Sequence, residues 1–280
     1  MQYRLQDQIG HGGMGKVYRA EHTLLKRPCS IKLIHSDKSS DPYTIDRFEK
    51  EVIATAKLSH WNTIDIYDYG RTADGTFFYV MELLNGLSIQ DLIQRFGPMP
   101  PSRVVYLLLQ ACQALHEAHT AGLIHRDVKP ANLFVTERGG YWDVLKVLDF
   151  GLVRELDGEV TSQATLNRFS GTPAFMAPEQ AFHYDTVDAR ADIYALGAVA
   201  YYMLAGDTVF QCKSTTEMIL AHANDEVPPL GALNKPFEES LEQIIRRCLE
   251  KDPSSRFASA LELHDALAAT SLRSKWTAKD

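Results

Sequence analysis

Cysteine is scarce and unpatterned in this chain. Four of the 280 residues are cysteine: Cys29, Cys112, Cys212 and Cys248. None forms a C-x-x-C pair and their spacing matches no zinc pattern, so neither a disulfide scaffold nor a structural zinc site is expected. Four reduced, mostly buried thiols fit a cytosolic domain. Basic residues are in deficit, 29 Lys and Arg against 36 Asp and Glu, for a formal net charge of −7. A nucleic-acid binder usually carries a basic excess, so no nucleic-acid partner is expected. A nucleotide site remains compatible with this balance, because a few local cations can outweigh the global field. Long apolar runs are missing too. Val104–Leu109 and Ala195–Ala205 are the longest stretches, well short of the roughly 18 apolar residues of a membrane span. Met1-Gln2-Tyr3-Arg4 opens without the apolar region of a signal peptide. No membrane contact is expected within this segment, and no repeat or low-complexity block occurs.

What is present is ordinary globular material, 45% apolar and 23% charged. The length allows one large domain or two lobes with a substantial core. Strands are expected at Tyr3–Ile9 and Lys16–Glu21, flanking a glycine-rich turn, then at Pro28–Ile34, Thr63–Tyr69 and Phe77–Leu83. A helix is expected over Ile45–Leu58, where Ile45, Phe48, Val52, Thr55 and Ala56 recur at spacings of three and four. From about Asn85 the pattern becomes helical, with Ser102–Ala121, Val187–Leu204, Thr215–Ala223, Glu239–Glu250 and Ala258–Ala268. Two short strands, Leu133–Thr136 and Leu145–Leu148, bracket Arg138-Gly139-Gly140. A strand-rich lobe thus precedes a helical one, with the boundary near Leu84–Gly86 and a cleft between them as the favoured ligand site.

Gly10-His11-Gly12-Gly13-Met14-Gly15-Lys16-Val17 reads G-x-G-x-x-G-x-V between two strands. Such glycines let backbone approach triphosphate oxygens, although glycine-rich hairpin turns are common and the motif alone is weak. A dinucleotide fold would place a helix directly after the glycines, whereas Lys16–Ala20 reads as strand. Lys32 ends Cys29-Ser30-Ile31-Lys32 on an apolar strand, where a lysine is usually at an edge or surface; beside the glycine loop it becomes a phosphate ligand candidate. Glu51 falls near the apolar face of the next helix and can pair with Lys32, or it belongs to a solvated charge run with Glu49 and Lys50. His125-Arg126-Asp127-Val128-Lys129-Pro130-Ala131-Asn132 follows the long helix and precedes a strand, and Asp149-Phe150-Gly151 follows the next one. Polar groups packed this closely between apolar elements need partners, because burying them unpaired is costly. H-R-D-x-K-P-x-N followed by D-F-G is a far more specific signal than the glycines.

These residues identify a resemblance. The chain resembles the protein kinase superfamily, and within it the eukaryotic-like serine/threonine kinases of bacteria. The likeness runs from about Tyr3 to Ala268. It draws further on Gly171-Thr172-Pro173, Ala177-Pro178-Glu179-Gln180, Asp192-Ile193-Tyr194-Ala195-Leu196-Gly197 and Asp252-Pro253-Ser254-Ser255-Arg256-Phe257.

The resemblance implies an α+β, two-lobed protein-kinase-like fold: a small antiparallel β-sheet lobe with one helix, and a larger mainly α-helical lobe. The kinase domain would span 1–270, with an N-lobe over 1–83, a C-lobe over 84–270, and 271–280 as a tail or the start of a linker. It implies a phosphotransferase that moves the γ-phosphate of ATP to Ser/Thr hydroxyls of protein substrates. Mg²⁺ would be the metal, with Mn²⁺ able to substitute. Asp127 would be the catalytic base, Lys129 a cation near the γ-phosphate, Asn132 and Asp149 the metal ligands, and Lys32, held by Glu51, the contact to the α- and β-phosphates. Ile9, Gly10, His11, Gly12, Gly13, Met14, Gly15, Lys16 and Val17 would cover the nucleotide. Met81 would be the gatekeeper. The Glu82 carbonyl and Leu84 amide would bond the adenine edge, and Ile9, Val17 and Leu133 would sandwich it; without the resemblance each reads equally well as core packing. His125, Phe150 and Asp192 would be internal supports, and Glu179 with Arg256 a buried ion pair.

Arg126 beside Asp127 implies control by a phosphate on the activation segment Asp149–Glu179, with Thr161, Ser162, Thr165 and Ser170 as candidates, Thr165 or Thr161 first. An ordinary hydroxyl-rich loop is the alternative. Thr172 would instead face Asp127 and Lys129. Three positions depart from the family pattern: Ser30 replaces a small apolar residue, Trp61 stands where proline often follows His60, and Thr55 is polar where apolar packing supports Phe150. None removes a catalytic group, which disfavours a pseudokinase scaffold that binds nucleotide without transfer. A homodimer through the N-lobe is common among such kinases, without a sequence feature here that carries it. Related chains often continue into a membrane span and a sensor, which would make this a cytoplasmic domain of a longer protein.

Overall fold

The computed structural model describes residues 2–12, 15–34, 49–50, 52–150, 173–182, 186–230 and 238–277. The first lobe is a five-stranded antiparallel sheet. Its strands are β1 (Tyr3–Gly12), β2 (Gly15–His22), β3 (Arg27–Ile34), β4 (Ile66–Arg71) and β5 (Phe77–Glu82), in the order β1-β2-β3-β5-β4. Alternation along the strands gives the sheet two apolar faces. Ile34, Phe77 and Tyr79 pack on one side with Val52, where residues 52–55 are helical. Ala20, Cys29, Ile31 and Val80 pack on the other. This is the period of two expected of a pleated strand buried on both faces.

The second lobe holds a three-stranded antiparallel sheet, β6 (Gly86–Ser88), β7 (Leu133–Arg138) and β8 (Tyr141–Val147), in that order. Around it lie α1 (Ile89–Phe96), α2 (Pro101–Thr120), α3 (Pro178–Phe182), α4 (Arg190–Ala205), α5 (Thr215–Asn224), α6 (Glu239–Cys248) and α7 (Ala260–Ala268). Pro101 opens α2, where the missing N–H costs nothing. Ser88, Ser214 and Ser259 cap α1, α5 and α7 by accepting amide protons from Asp91, Glu217 and Glu262. Helix α4 is buried nearly all round and forms the axis of the lobe. At Gly197 a Cβ would stand 2.5 Å from the Cβ of Cys248, so glycine sets how closely α4 and α6 approach.

Three expected boundaries move. The strand expected at Thr63–Tyr69 is Ile66–Arg71 instead. Asn62, Thr63 and Ile64 are used elsewhere: Ile64 donates to the Val147 carbonyl and Val147 to that of Asn62, tying the crossover to β8. β8 begins at Tyr141, ahead of the expected Leu145, because the Gly139-Gly140 turn, both residues at positive φ, allows pairing out to Arg138 and Tyr141. Helix α4 begins at Arg190 instead of Val187, where the Asp188 carboxylate accepts the Arg190 amide proton. β6, α1 and α3 are three to eight residues long, too short for periodicity to reveal. Trp276, in the stretch read as a tail or linker, is packed: its indole N–H donates to Asp143 at 3.0 Å and Arg103 lies over the ring.

Candidate active site

The first-lobe side of the candidate site starts as a row across the sheet. Gly10 pairs with Val17, Val17 with Lys32, and Lys32 with Tyr79. Directly opposed residues in antiparallel strands project to one face, so these side chains share the face that meets the second lobe. Gly15 closes the hairpin where a Cβ would lie 1.9 Å from the Leu33 carbonyl oxygen, which excludes any larger residue. Lys32 is buried, and its Nζ donates to Asp149 Oδ2 at 2.7 Å, an ion pair joining the two lobes. The hydroxyl of Tyr79 donates to the other oxygen, Asp149 Oδ1, at 2.5 Å. Burial works to raise the Asp149 pKa, but the Lys32 cation and the Tyr79 bond outweigh it and hold the carboxyl below its ordinary value.

The facing side is the loop between α2 and β7, closed by a 3₁₀ turn at Pro130–Asn132. Asp127 is the hub. Lys129 Nζ donates to its Oδ2 at 2.7 Å, and the Asn132 amide donates to the same oxygen at 3.1 Å and to the Asp127 carbonyl at 2.9 Å. With its NH₂ turned to Asp127, Asn132 keeps its amide oxygen as an acceptor. Leu148 donates to the Asn132 carbonyl at 2.9 Å, so the loop and the Asp149 segment are stitched together. His125 bonds the Leu148 carbonyl at 2.8 Å and its ring lies 4.7 Å from that of Phe150.

Two residues of this region are non-glycine and left-handed, Arg126 at φ 62° and Asp149 at φ 52°. Such a conformation is uncommon outside glycine and persists where surroundings enforce it. For Arg126 the enforcing group is Asp192, which accepts the His125 and Arg126 amide protons at 2.8 Å each and the His119 ring at 2.8 Å. Burial opposes ionisation of Asp192, yet His119 and these donors hold its pKa below the usual carboxylate value.

A divalent cation fits this donor set. The Asn132 amide oxygen and the Asp149 carboxylate are hard oxygen ligands, and Mg²⁺ is commonly held by one or two such groups plus phosphates and water. Among the described residues no cluster of three His, Cys, Asp or Glu side chains is poised for a metal.

The family model described as protein kinase domain matches residues 3–272. The chain belongs to the protein kinase family. It is 36% identical over 263 residues to the serine/threonine-protein kinase pkn3 of Myxococcus xanthus, covering 92% of this chain and 48% of that protein. It is 34% identical over 264 residues to the serine/threonine-protein kinase PknB of Mycobacterium leprae, covering 93% and 42%. The crystal structure of the PknI kinase domain of Mycobacterium tuberculosis is similar at a TM-score of 0.74 and 27% identity, covering 95% of each chain. The kinase chain thus spans less than half the length of the curated relatives it matches.

In this kinase the hinge carries a feature that the motifs did not announce. The Glu82 carboxylate is turned to Lys146 at 2.6 Å and to Arg138 at 3.3 Å, and accepts the Asp65 amide proton. Lys146 is fully buried and also donates to the Thr63 carbonyl at 2.9 Å. A lysine between apolar residues of a strand three positions before the D-F-G aspartate was the available sequence signal. Tyr79 was also missed, although strand alternation places it with Met81, two residues on. Arg138 lies over the ring of half-exposed Trp61. Thr55, the polar departure, is buried, and its hydroxyl has no hydrogen-bond partner among the described residues. Ile9, His11, Gly12 and Lys16 are exposed along β1 and β2, Met81 and Leu84 are partly buried around the hinge, and Leu133 is buried at the start of β7. Glu179 and Arg256 form a bidentate pair at 2.6 and 2.8 Å. Gln180 donates to the Arg126 carbonyl at 2.8 Å. Gly13, Met14, Glu51, Thr161, Ser162, Thr165, Ser170 and Thr172 lie outside the described residues.

Proposed function

We propose that this chain is an active serine/threonine protein kinase that transfers the γ-phosphate of Mg·ATP to Ser/Thr hydroxyls of proteins. The supporting observation is one continuous network: Lys32 to Asp149 across the lobes, Leu148 to Asn132, and Asn132 with Lys129 to Asp127. Phosphoryl transfer asks for alignment and charge stabilisation more than for covalent chemistry. Asp127 takes the proton of the substrate hydroxyl as its oxygen bonds to the γ-phosphorus and the bond to the β–γ bridging oxygen breaks, releasing ADP. Lys129 offsets charge beside the reacting oxygen. Asn132 and Asp149 would hold Mg²⁺, and the cation would supply positive charge to offset that of the phosphate oxygens. Lys32 trades its bond to Asp149 for the α- and β-phosphates, with Glu51 as its partner. Met81, the Glu82 carbonyl, the Leu84 amide, Ile9, Val17 and Leu133 receive the adenine, and the Gly10–Val17 loop covers the phosphates.

The domain assigned to this activity is 1–270, divided at Leu83–Leu84. Autophosphorylation at Thr165 or Thr161 tunes it through Arg126. Four free cysteines suit a cytoplasmic setting, and among the described residues no helix is long and apolar enough to cross a membrane. A homodimer through the N-lobe would use the outer sheet face. There Leu24 and Leu25 stand exposed beside an open groove of about 700 Å³ that includes Tyr3, His22, Arg27 and Tyr67.

The test is transfer of labelled γ-phosphate to a generic protein substrate, wild type against Asp127→Asn. Asp127→Asn should lower kcat by orders of magnitude with ATP binding kept; full activity in that variant would overturn the mechanism. ATP binding without transfer in the wild type would instead identify a pseudokinase. Mass spectrometry after incubation with Mg·ATP tests regulation, and absence of phosphate between Asp149 and Gly171 would sink that part.

A further inference from the structure

Tyr79 carries chemistry that none of the motifs requires. It lies mid-strand in β5, nearly fully buried, packed with Ile34, Val52 and Phe77. Its hydroxyl reaches Asp149 Oδ1 at 2.5 Å while Lys32 holds Oδ2 at 2.7 Å. A buried phenol needs a partner for its O–H, and here the partner is a carboxylate assigned to the metal. The two donors on Asp149 differ in what happens when nucleotide arrives. Lys32 has phosphates to move to. Tyr79 is held in the β5 ladder opposite Lys32.

We infer that Tyr79 is a positioning residue for the metal site, holding the Asp149 carboxylate through one oxygen so that the other faces the cation after Lys32 turns to the phosphates. The inference rests on the proposed kinase function and assigns a residue to it that the motifs leave out. The backbone supports the need for such a hold. Asp149 sits at φ 52° and its side chain is about one-fifth exposed, so neither backbone preference nor tight packing alone fixes the carboxylate. Partners of this kind, bonded to a metal ligand and not to the metal, typically contribute 10–100-fold to metal affinity or activity. The required tyrosine is a local feature: Phe77, at the same strand parity, lacks the oxygen, and Met81 marks the gatekeeper position.

The experiment measures binding of a non-hydrolysable ATP analogue by titration calorimetry across a Mg²⁺ series, alongside phosphoryl transfer over the same series. The proteins are wild type, Tyr79→Phe, Asp149→Asn and the double variant. In Tyr79→Phe the half-saturating Mg²⁺ concentration should rise about tenfold or more, with metal-free nucleotide affinity unchanged and kcat largely recovered at high Mg²⁺. In the Asp149→Asn background Tyr79→Phe should change nothing further, because its effect passes through that carboxylate. Thermal unfolding identifies a variant that fails to fold, and Tyr79→Met then serves as the second test with the same expected shift. An unchanged Mg²⁺ midpoint, a midpoint that falls, or a uniform loss of kcat at every Mg²⁺ concentration overturns the inference. Failure of the wild type to bind nucleotide in a Mg²⁺-dependent way removes the functional reading itself, an outcome distinct from these.

Discussion

Asp192 accepts the amide proton of Arg126 at 2.8 Å, and Arg126 is held at φ 62° at that point. A residue on the central helix thus fixes a strained peptide immediately before Asp127. Asp192→Asn keeps the shape but turns one acceptor oxygen into an NH₂ facing an N–H or the His119 ring. Leaving a buried donor unmatched costs about 1–3 kcal/mol. Melting temperature should fall by several degrees, and kcat should fall while the KM for ATP changes little. Calorimetry and steady-state kinetics check this; an unaltered kcat would refute the coupling.

Lys129 and Asn132 converge on one oxygen of Asp127, so the charge and orientation of the proposed base depend on both. Lys129→Met should lower kcat by about a hundredfold or more, the scale seen when one stabilising donor is lost. Combined with Asp127→Asn, it should cost little beyond Asp127→Asn alone, because groups acting as a unit are not additive. Initial-rate measurements with the single and double variants decide it.

Arg256 is buried and makes five hydrogen bonds: two to Glu179 and one each to the carbonyls of Glu250, Lys251 and Arg190. Tyr194 lies under its guanidinium. Arg256→Met should destabilise by about 3–5 kcal/mol, since it strands the partly buried Glu179 charge. Replacing Glu179 by Gln as well should recover part of that loss, because the stranded group is then neutral. Urea unfolding of the two variants measures the difference.

Much of this was legible in the sequence, because its signals are local. Glycines at fixed spacing, the His125–Asn132 run and Asp149-Phe150 each mark a turn or loop whose chemistry depends on neighbours in the chain. The long helix α2 and the row of β-strands follow from periodicity. What escaped are relationships set by tertiary register. Tyr79 reads as one more aromatic on an apolar strand until β3 and β5 pair and place it opposite Lys32. Lys146 has no visible partner in the sequence until β8 brings it against Glu82. The Trp276 tail reads as polar and loose until Asp143 accepts its indole proton. In each case the deciding partner is distant in sequence, and no spacing rule reaches it.

His222 on α5 gives the kinase an acid sensitivity separate from its active site. The ring is buried against Phe210 and Tyr194; Nδ1 meets the Tyr194 hydroxyl at 2.7 Å, and the backbone of Ala174 lies against the ring and partly offsets its burial. Burial, then the nearby Lys251 cation, pushes its pKa from 6.5 to about 4. The folded state therefore holds the ring neutral while the unfolded state takes up a proton below pH 6.5. Stability should be complete above pH 6.5 and be lost progressively as pH falls toward 4. The loss reaches about 3 kcal/mol at one proton's worth of about 1.4 kcal/mol per pH unit. The carboxylates of Asp149 and Asp192, held below their ordinary values, titrate beneath most of this window. His60, also lowered by burial, supplies part of the same slope. His222→Gln should flatten the dependence between pH 6.5 and 4.5 without abolishing it. Urea midpoints of wild type and variant across that range give the comparison, and parallel curves would show that His222 does not titrate as its surroundings require.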